Sequence, residues 1–150
     1  MSGNSVVITL PYSKTVVIQA FANASYLQRV SVQPQGGPTT VWSGGGFYST
    51  PLGSMTITTP AGSGAGFPVT VTIDHSSDGG RTWSGSKLAS VPCDVMYYST
   101  IIIGSEDAND NTWNDATAYV TWSQLPAEAV RSSRTDASLR ATPTSSTGRA

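Results

Sequence analysis

Between Glu106 and Asp115, inside the stretch GSEDANDNTWNDA (104–116), lie four of the chain's nine carboxylates: Glu106, Asp107, Asp110 and Asp115. Asn109, Asn111 and Asn114 are interleaved with them. Side-chain oxygen at this density repels itself unless water or a cation satisfies it. Calcium takes about six to eight oxygens from carboxylates, amides and backbone carbonyls, so a loop that offers them in sequence is a compact cage for a hard cation. An EF-hand describes the loop poorly. Asp107-x-Asn109-x-Asn111 looks like its start, but Thr112 stands at the turn glycine and Ala118 at the closing glutamate.

Catalytic chemistry has little support. His75 is the single histidine, and the chain contains no nucleophile elbow, H-E-x-x-H or C-x-x-C. Carboxylates can work as an acid/base pair, as in glycosidases, but here they crowd into one loop rather than facing one another across a cleft. The chain reads as a non-enzyme.

The loop sits between two β-type runs, VMYYSTIII before it and ATAYVTW after it. The same pattern fills most of the chain. PVTVTID (68–74) alternates Val69, Val71 and Ile73 with polar residues, and TAYVTW (117–122) does so with Ala118, Val120 and Trp122; these six are expected to face the core. MTIT (55–58) and RVSV (29–32) repeat the alternation, while VVITL (6–10), TVVIQAFA (15–22) and MYYSTIII (96–103) suit more deeply covered strands. PYSK, PQGG, SGGG, PAGSGAG and SSDGG read as turns. With no helical periodicity before residue 124, the fold class is all-β, an antiparallel β-sandwich of about nine strands.

WSGGGF (42–47) and AGSGAGF (61–67) lack the following helix that a phosphate cradle needs and read as loops. SSDGGRTW (76–83) has the S-x-D-x-G-x-T-W spacing of the Asp-box; a single copy implies a tight hairpin turn at Asp78, Gly79 and Gly80.

At 150 residues the chain fits one domain. The composition shifts after residue 124, which divides it into a sandwich over 1–124 and a C-terminal extension over 125–150. A net charge of −1 with 11% charged residues gives no basic field for nucleic acid or anionic lipid. No segment approaches a membrane-spanning length of apolar residues, so membrane insertion is not expected. The start MSGNSVVITLPYSK lacks the features of a signal peptide, and a cytoplasmic chain, released if at all by a non-classical route, is expected. Asn23-Ala24-Ser25 is a glycosylation sequon, which fits that expectation. Cys93 has no partner for a disulfide and is expected to be buried.

The acidic loop, together with ITLPYSKTVVIQAFANAS (8–25) and the closing strand ATAYVTW, resembles the calcium-mediated fucose- and mannose-binding lectins of the bacterial LecB-like family. The resemblance covers most of residues 6–122, strongly at both ends. It implies a sandwich with an F-A-N segment and an acidic loop meeting at one end, where calcium coordinates sugar hydroxyls. Carried over by motif, it makes Asn23, Glu106, Asp110, Asn114 and Asp115 metal ligands and Asp107 an acceptor for a sugar hydroxyl. Ala24, Ser25 and Tyr26 follow the F-A-N asparagine and would tune sugar preference. Ala24 resembles the mannose-leaning members, and Tyr26 is large enough to lie against a ring face.

Two departures bear on the metal. Thr112 stands where the family has a carboxylate that bridges two ions, and 28 residues follow Trp122 where the family has a C-terminal carboxylate that reaches a neighbour's site. With Glu106, Asp110 and Asp115 as the charged ligands left, one calcium ion or none is expected rather than two. The family also implies a homo-oligomer, at least a dimer. The extension then packs on a neighbour, and Arg131 or Arg134 lies near the acidic loop. The leading reading is a lectin for fucosides or mannosides, with Thr112 counted among its site residues. The alternative is a non-catalytic interaction sandwich whose sugar and calcium site has decayed.

Overall fold

The computed structural model describes residues 3–107 and 112–124. Asp110 and the extension 125–150, with Arg131 and Arg134, fall outside the described residues. Eight strands are present among those described: β1 (Ser5–Leu10), β2 (Thr15–Pro34), β3 (Thr40–Thr58), β4 (Phe67–Ser76), β5 (Ser84–Gly85), β6 (Lys87–Val95), β7 (Tyr98–Glu106) and β8 (Ala116–Ser123). All pair antiparallel. No helix there is long and apolar enough to cross a membrane.

The architecture follows from β2. Its even-numbered residues Val16, Ile18, Ala20, Ala22 and Ala24, then Gln28, Val30 and Val32, are all buried, so one face points inward along the strand. TVVIQAFA and RVSV, read above as two strands, are two halves of this one. Residues 15–22 lie between β8 and the second half of β3, whereas residues 28–32 lie between β4 and the first half of β3. The sheet order β1-β4-β2-β8-β7-β6 therefore folds over on itself at the middle of β2, and β1 comes against β6 on the far side. A sandwich results. Ile8, Leu10, Val16, Ile18, Val30, Val32, Val69, Val71, Ile73, Ile103, Ala118 and Val120 from both halves form one apolar cluster. Burying each larger aliphatic there contributes about 1.5–3 kcal/mol.

Five of the six residues expected in the core are fully buried; Trp122 packs against the cluster half-exposed, near the end of β8. The turns at PYSK, PQGG and SSDGG are where the sequence puts them. AGSGAGF is a loop as far as Gly66.

Three further expectations fail. WSGGGF is no loop but lies inside β3, where the absence of side chains at Gly44–Gly46 lets the strand bulge and bend with β2. Gly46 takes φ +141°, and a Cβ there would collide with the Thr50 hydroxyl. MYYSTIII is not one covered strand: Met96 turns at φ +53° and closes a hairpin between β6 and β7, so Met96, Tyr97 and Tyr98 are exposed. Cys93 is exposed as well, because β6 is an outermost strand with only Leu88 half-buried.

Candidate functional site

The acidic loop is anchored at both ends. Glu106 closes β7 and Asp115 immediately precedes β8. Between them Ser105 works as a clasp: its Oγ donates to the Ala116 carbonyl at 3.1 Å and accepts from the Ala116 N–H at 2.9 Å, while its own carbonyl accepts from the Asp115 N–H at 3.1 Å. On the neighbouring residue of β7, a Cβ at Gly104 would collide with the carbonyl oxygen of Trp113, so glycine is what allows the loop to lie this close to the strand. Trp113 itself is in the left-handed region at φ +54°.

This anchoring gathers three carboxylates. One oxygen each from Glu106, Asp107 and Asp115 lie within 4.8 Å of one another, and Glu106 and Asp115 are only 2% and 6% exposed. Backbone donors hold the group in place: Asp107 N–H to Asp115 Oδ2 at 2.7 Å and Thr112 N–H to Glu106 Oε2 at 3.1 Å. Two oxygens bound to one calcium ion are separated by at most about 5 Å, twice the metal–oxygen distance, so the trio has the spacing of a shared hard cation. Three partly buried negative charges at this range repel unless something positive joins them.

Gln28 supplies the support from below. It is fully buried on β2 and donates Nε2–H to Asp107 Oδ2 at 2.7 Å, with a second, longer bond to the Tyr26 carbonyl at 3.4 Å. Its Oε1 is buried without a partner among the described residues. Only the NH₂ end of the amide can serve a carboxylate, which fixes the orientation and leaves the carbonyl stranded.

The Asn23 segment reaches the same place through paired irregularities in β2 and β3. Ala22 pairs with Thr50 and Ala24 with Gly46, so Phe47–Ser49 bulge out of β3 opposite Asn23; Gln28 then pairs with Gly44, so Ser25–Leu27 bulge out of β2 opposite Gly45. The bend of the sandwich falls here. Asn23 N–H donates to the Asp115 carbonyl at 2.9 Å, and the Asn23 side-chain oxygen accepts from the N–H of Ser49. Beyond it, the Tyr26 ring stacks on His75 with centroids 6.1 Å apart and planes 16° apart. His75 Nδ1 lies 3.0 Å from Ser86 Oγ. On the outer face Arg29 bridges to Asp74 at 2.8 Å and covers the Trp83 ring at 4.3 Å, which braces the β2–β4 pair.

Of the residues read from the sequence, Asn23, Glu106, Asp107 and Asp115 come together. Ser25 and Tyr26 are exposed beside them, and Ala24 faces inward and is buried. Thr112 and Asn114 lie on the exposed side of the loop. Gln28, Ser49 and Ser105 are site residues that the sequence reading does not include. For Gln28 a signal exists, since it falls at an inward position of the β2 alternation, where a polar residue needs a reason.

The hairpin after β4 is built as its motif implies. Asp78 accepts from the Thr82 hydroxyl at 2.6 Å, the Thr82 N–H at 2.9 Å and Ser76 Oγ at 2.7 Å, with Gly79 and Gly80 at positive φ. These donors, Thr82 first, lower the Asp78 pKa from 3.8 to about 2.

The family model for fucose-binding lectin II (PA-IIL) matches residues 8–124. A high-affinity mannose-binding lectin of Ralstonia solanacearum is 28% identical, with a TM-score of 0.60 over 77% of this chain and 94% of its own. The lectin CV2L of Chromobacterium violaceum, solved with α-methyl-fucoside, is 24% identical with a TM-score of 0.60 over 77% of this chain and 94% of its own. The C-terminal domain of the BC2L-C lectin from Burkholderia cenocepacia is 22% identical with a TM-score of 0.59 over 80% and 97%. The last two likenesses speak for the fold alone. No curated protein matches the chain by sequence. With the family model running from β1 through β8, the chain belongs to the fucose-binding lectin II (PA-IIL) family.

Proposed function

We propose that the protein is a carbohydrate-binding lectin, not an enzyme, and that it takes a fucose- or mannose-type residue where the acidic loop meets the Asn23 bulge. The observation that carries this reading is the Asn23 N–H to Asp115 carbonyl bond, which sets the F-A-N segment beside the Glu106–Asp107–Asp115 trio in a chain of the PA-IIL family. Vicinal sugar hydroxyls present donors, and clustered carboxylate oxygens are the matching acceptors. Asp107, held by Gln28 through one oxygen, offers the other to a hydroxyl. Tyr26, backed by His75 on one face, lends its edge and open face to the sugar ring.

Calcium is the group this reading implies, and the residues present fit it: an all-oxygen donor set at shared-cation spacing, with Asn23 at its margin. Glu106 and Asp115 would hold the ion, together with the same Asp107 oxygen that faces the sugar. When bound, it supplies a positive centre at which sugar hydroxyls replace water. One ion per chain suits the charge available better than two.

Single-sugar sites of this shallow kind gain useful strength from several acting together. A homo-oligomer belongs to the same reading. It is supported by β6, an edge strand that pairs only with β7 among the described residues and exposes Val91 and Val95.

The test is calorimetry with methyl α-fucoside and methyl α-mannoside, in calcium and again after chelation. Binding of at least one glycoside in calcium is expected, with a marked loss in chelator. Failure of both glycosides to bind in calcium would leave the interaction-sandwich alternative in its place.

A further inference from the structure

The β3 bulge carries an exposed aromatic residue in a strained backbone conformation. Two consecutive residues without the freedom of glycine, Tyr48 at φ +63° and Ser49 at φ +56°, occupy the left-handed region. Each such placement costs free energy for an L-residue and persists only where its surroundings enforce it. Here two bonds enforce it: Ser49 N–H to the Asn23 side-chain oxygen, and Thr50 Oγ1 to the Phe47 carbonyl at 2.9 Å. The outcome is a tyrosine held out from the surface. Tyr48 is 98% exposed, with Phe47 beside it at 59%, so neither ring stabilises the fold by burial. A bend could be made by glycine at these positions without strain, so a need for curvature does not explain an aromatic residue at the tip.

We propose that the Phe47–Ser49 bulge is a second carbohydrate subsite, in which Tyr48 stacks on the apolar face of the next ring of a glycan whose first ring sits at the acidic trio. The inference rests on the lectin reading above and extends it from one sugar residue to two. Continuity with the first site gives the occupant. Ser49 N–H is bonded to the Asn23 side chain, and Asn23 N–H to the main-chain carbonyl of Asp115, so only Asn23 separates the bulge from the backbone of the residue that carries one of the carboxylates. Adjacent Cα atoms are about 3.8 Å apart, so the Tyr48 backbone stands one residue from Ser49, the residue bonded to Asn23. Aromatic rings carry a negative face, and the axial C–H groups of a pyranose are the complement to it. The ring is rigid and already raised, so little freedom is lost when a sugar settles on it.

The experiment compares wild type, Tyr48→Gly and Tyr48→Trp by calorimetry in calcium, with methyl α-mannoside, methyl α-fucoside, mannotriose and fucosyllactose as probes. Wild type is expected to bind the better-matched oligosaccharide more tightly than its methyl glycoside. Tyr48→Gly should remove that gain, weakening the oligosaccharide about five- to tenfold and leaving the methyl glycoside unchanged. Tyr48→Trp should keep the gain. Because glycine accepts the positive φ, its variant should melt at the same temperature as wild type or higher, so that weaker binding cannot be assigned to misfolding. If wild type binds the methyl glycosides and Tyr48→Gly binds every probe as wild type does, the subsite is refuted and the lectin reading stands. If no methyl glycoside binds wild type, the lectin reading fails and the subsite fails with it.

Discussion

The amide of Gln28 donates to the carboxylate of Asp107 at 2.7 Å across 79 positions of sequence, from the floor of the sandwich to the rim of the acidic loop. This bond is charge-assisted and partly buried, which places it among the stronger hydrogen bonds a protein makes. The other end of the same amide, Gln28 Oε1, is buried with no donor among the described residues. Gln28 therefore stabilises one carboxylate and bears an uncompensated cost of its own.

Replacing Gln28 by leucine separates the two effects. The variant loses a bond worth about 1.5–3 kcal/mol to a charged group, but it also relieves an orphaned carbonyl that costs about 1–3 kcal/mol, so the melting temperature should move little. Asp107, no longer held, should lose its fixed orientation, and affinity for the matching methyl glycoside should fall about tenfold. Calorimetry and thermal melts check the pair of outcomes; unchanged affinity would mean that Asp107 is positioned by its own loop. Gln28→Glu should do worse on both counts, since it sets a buried carboxylate against Asp107.

Gly104 tests the loop's seat on β7. A Cβ there meets the backbone carbonyl of Trp113, which cannot rotate away as a side chain would. Gly104→Ala should destabilise the protein by about 1–3 kcal/mol and displace residues 112–114. The check is a denaturant melt together with amide exchange at Asp115, whose N–H donates to the Ser105 carbonyl at 3.1 Å. A variant as stable as wild type would mean that the loop reseats at no cost.

Why was the fold legible in the sequence, and the site only in part? Val69, Val71 and Ile73 alternate strictly with polar residues, and a period of two permits one buried face and nothing else. Met96 and Cys93 are exposed against expectation because a β-prone apolar run looks the same on an edge strand as in the middle of a sheet; which it is depends on neighbours distant in the chain. Glycine in WSGGGF marks a loop and a bulge equally well, so the bulge that carries Tyr48 was hidden. The carboxylates of the loop were readable because they are close in sequence, whereas the Gln28–Asp107 pair exists only once the sheet has folded over.

Asp78 gives a pH signature away from the site. Its folded pKa of about 2 lies below the usual 3.8, because the Thr82 hydroxyl and N–H and the Ser76 hydroxyl donate to the ionised form. A depressed carboxylate contributes stability that is present above the ordinary value and lost as pH falls through the folded one. Melting temperature should therefore drop between pH 3.8 and about 2, and part of that drop should vanish in Asp78→Asn. Identical pH profiles for the two proteins would mean that the hairpin does not contribute to acid stability.

Thr112 decides how the loop answers a cation. Its N–H already donates to Glu106 Oε2 at 3.1 Å, and its side chain lies on the exposed side of the loop. Thr112→Asp adds a negative charge next to three carboxylates that share one small volume. Without a cation this is pure repulsion, and the variant should melt below wild type in chelator. With calcium the same charge becomes an additional anionic oxygen donor. Any ion bound by the folded state alone raises stability in proportion to the logarithm of its concentration over Kd, so the variant should melt above wild type in millimolar calcium. The order of the two proteins should thus invert between the two buffers, an outcome that a general loss of packing cannot produce. Calorimetry should count one calcium per wild-type chain and a tighter interaction for the variant. If calcium shifts neither protein, the loop is an acidic rim that serves sugars through hydrogen bonds alone; if wild type takes up two ions tightly, Thr112 is no obstacle and the charge argument for a single ion is wrong.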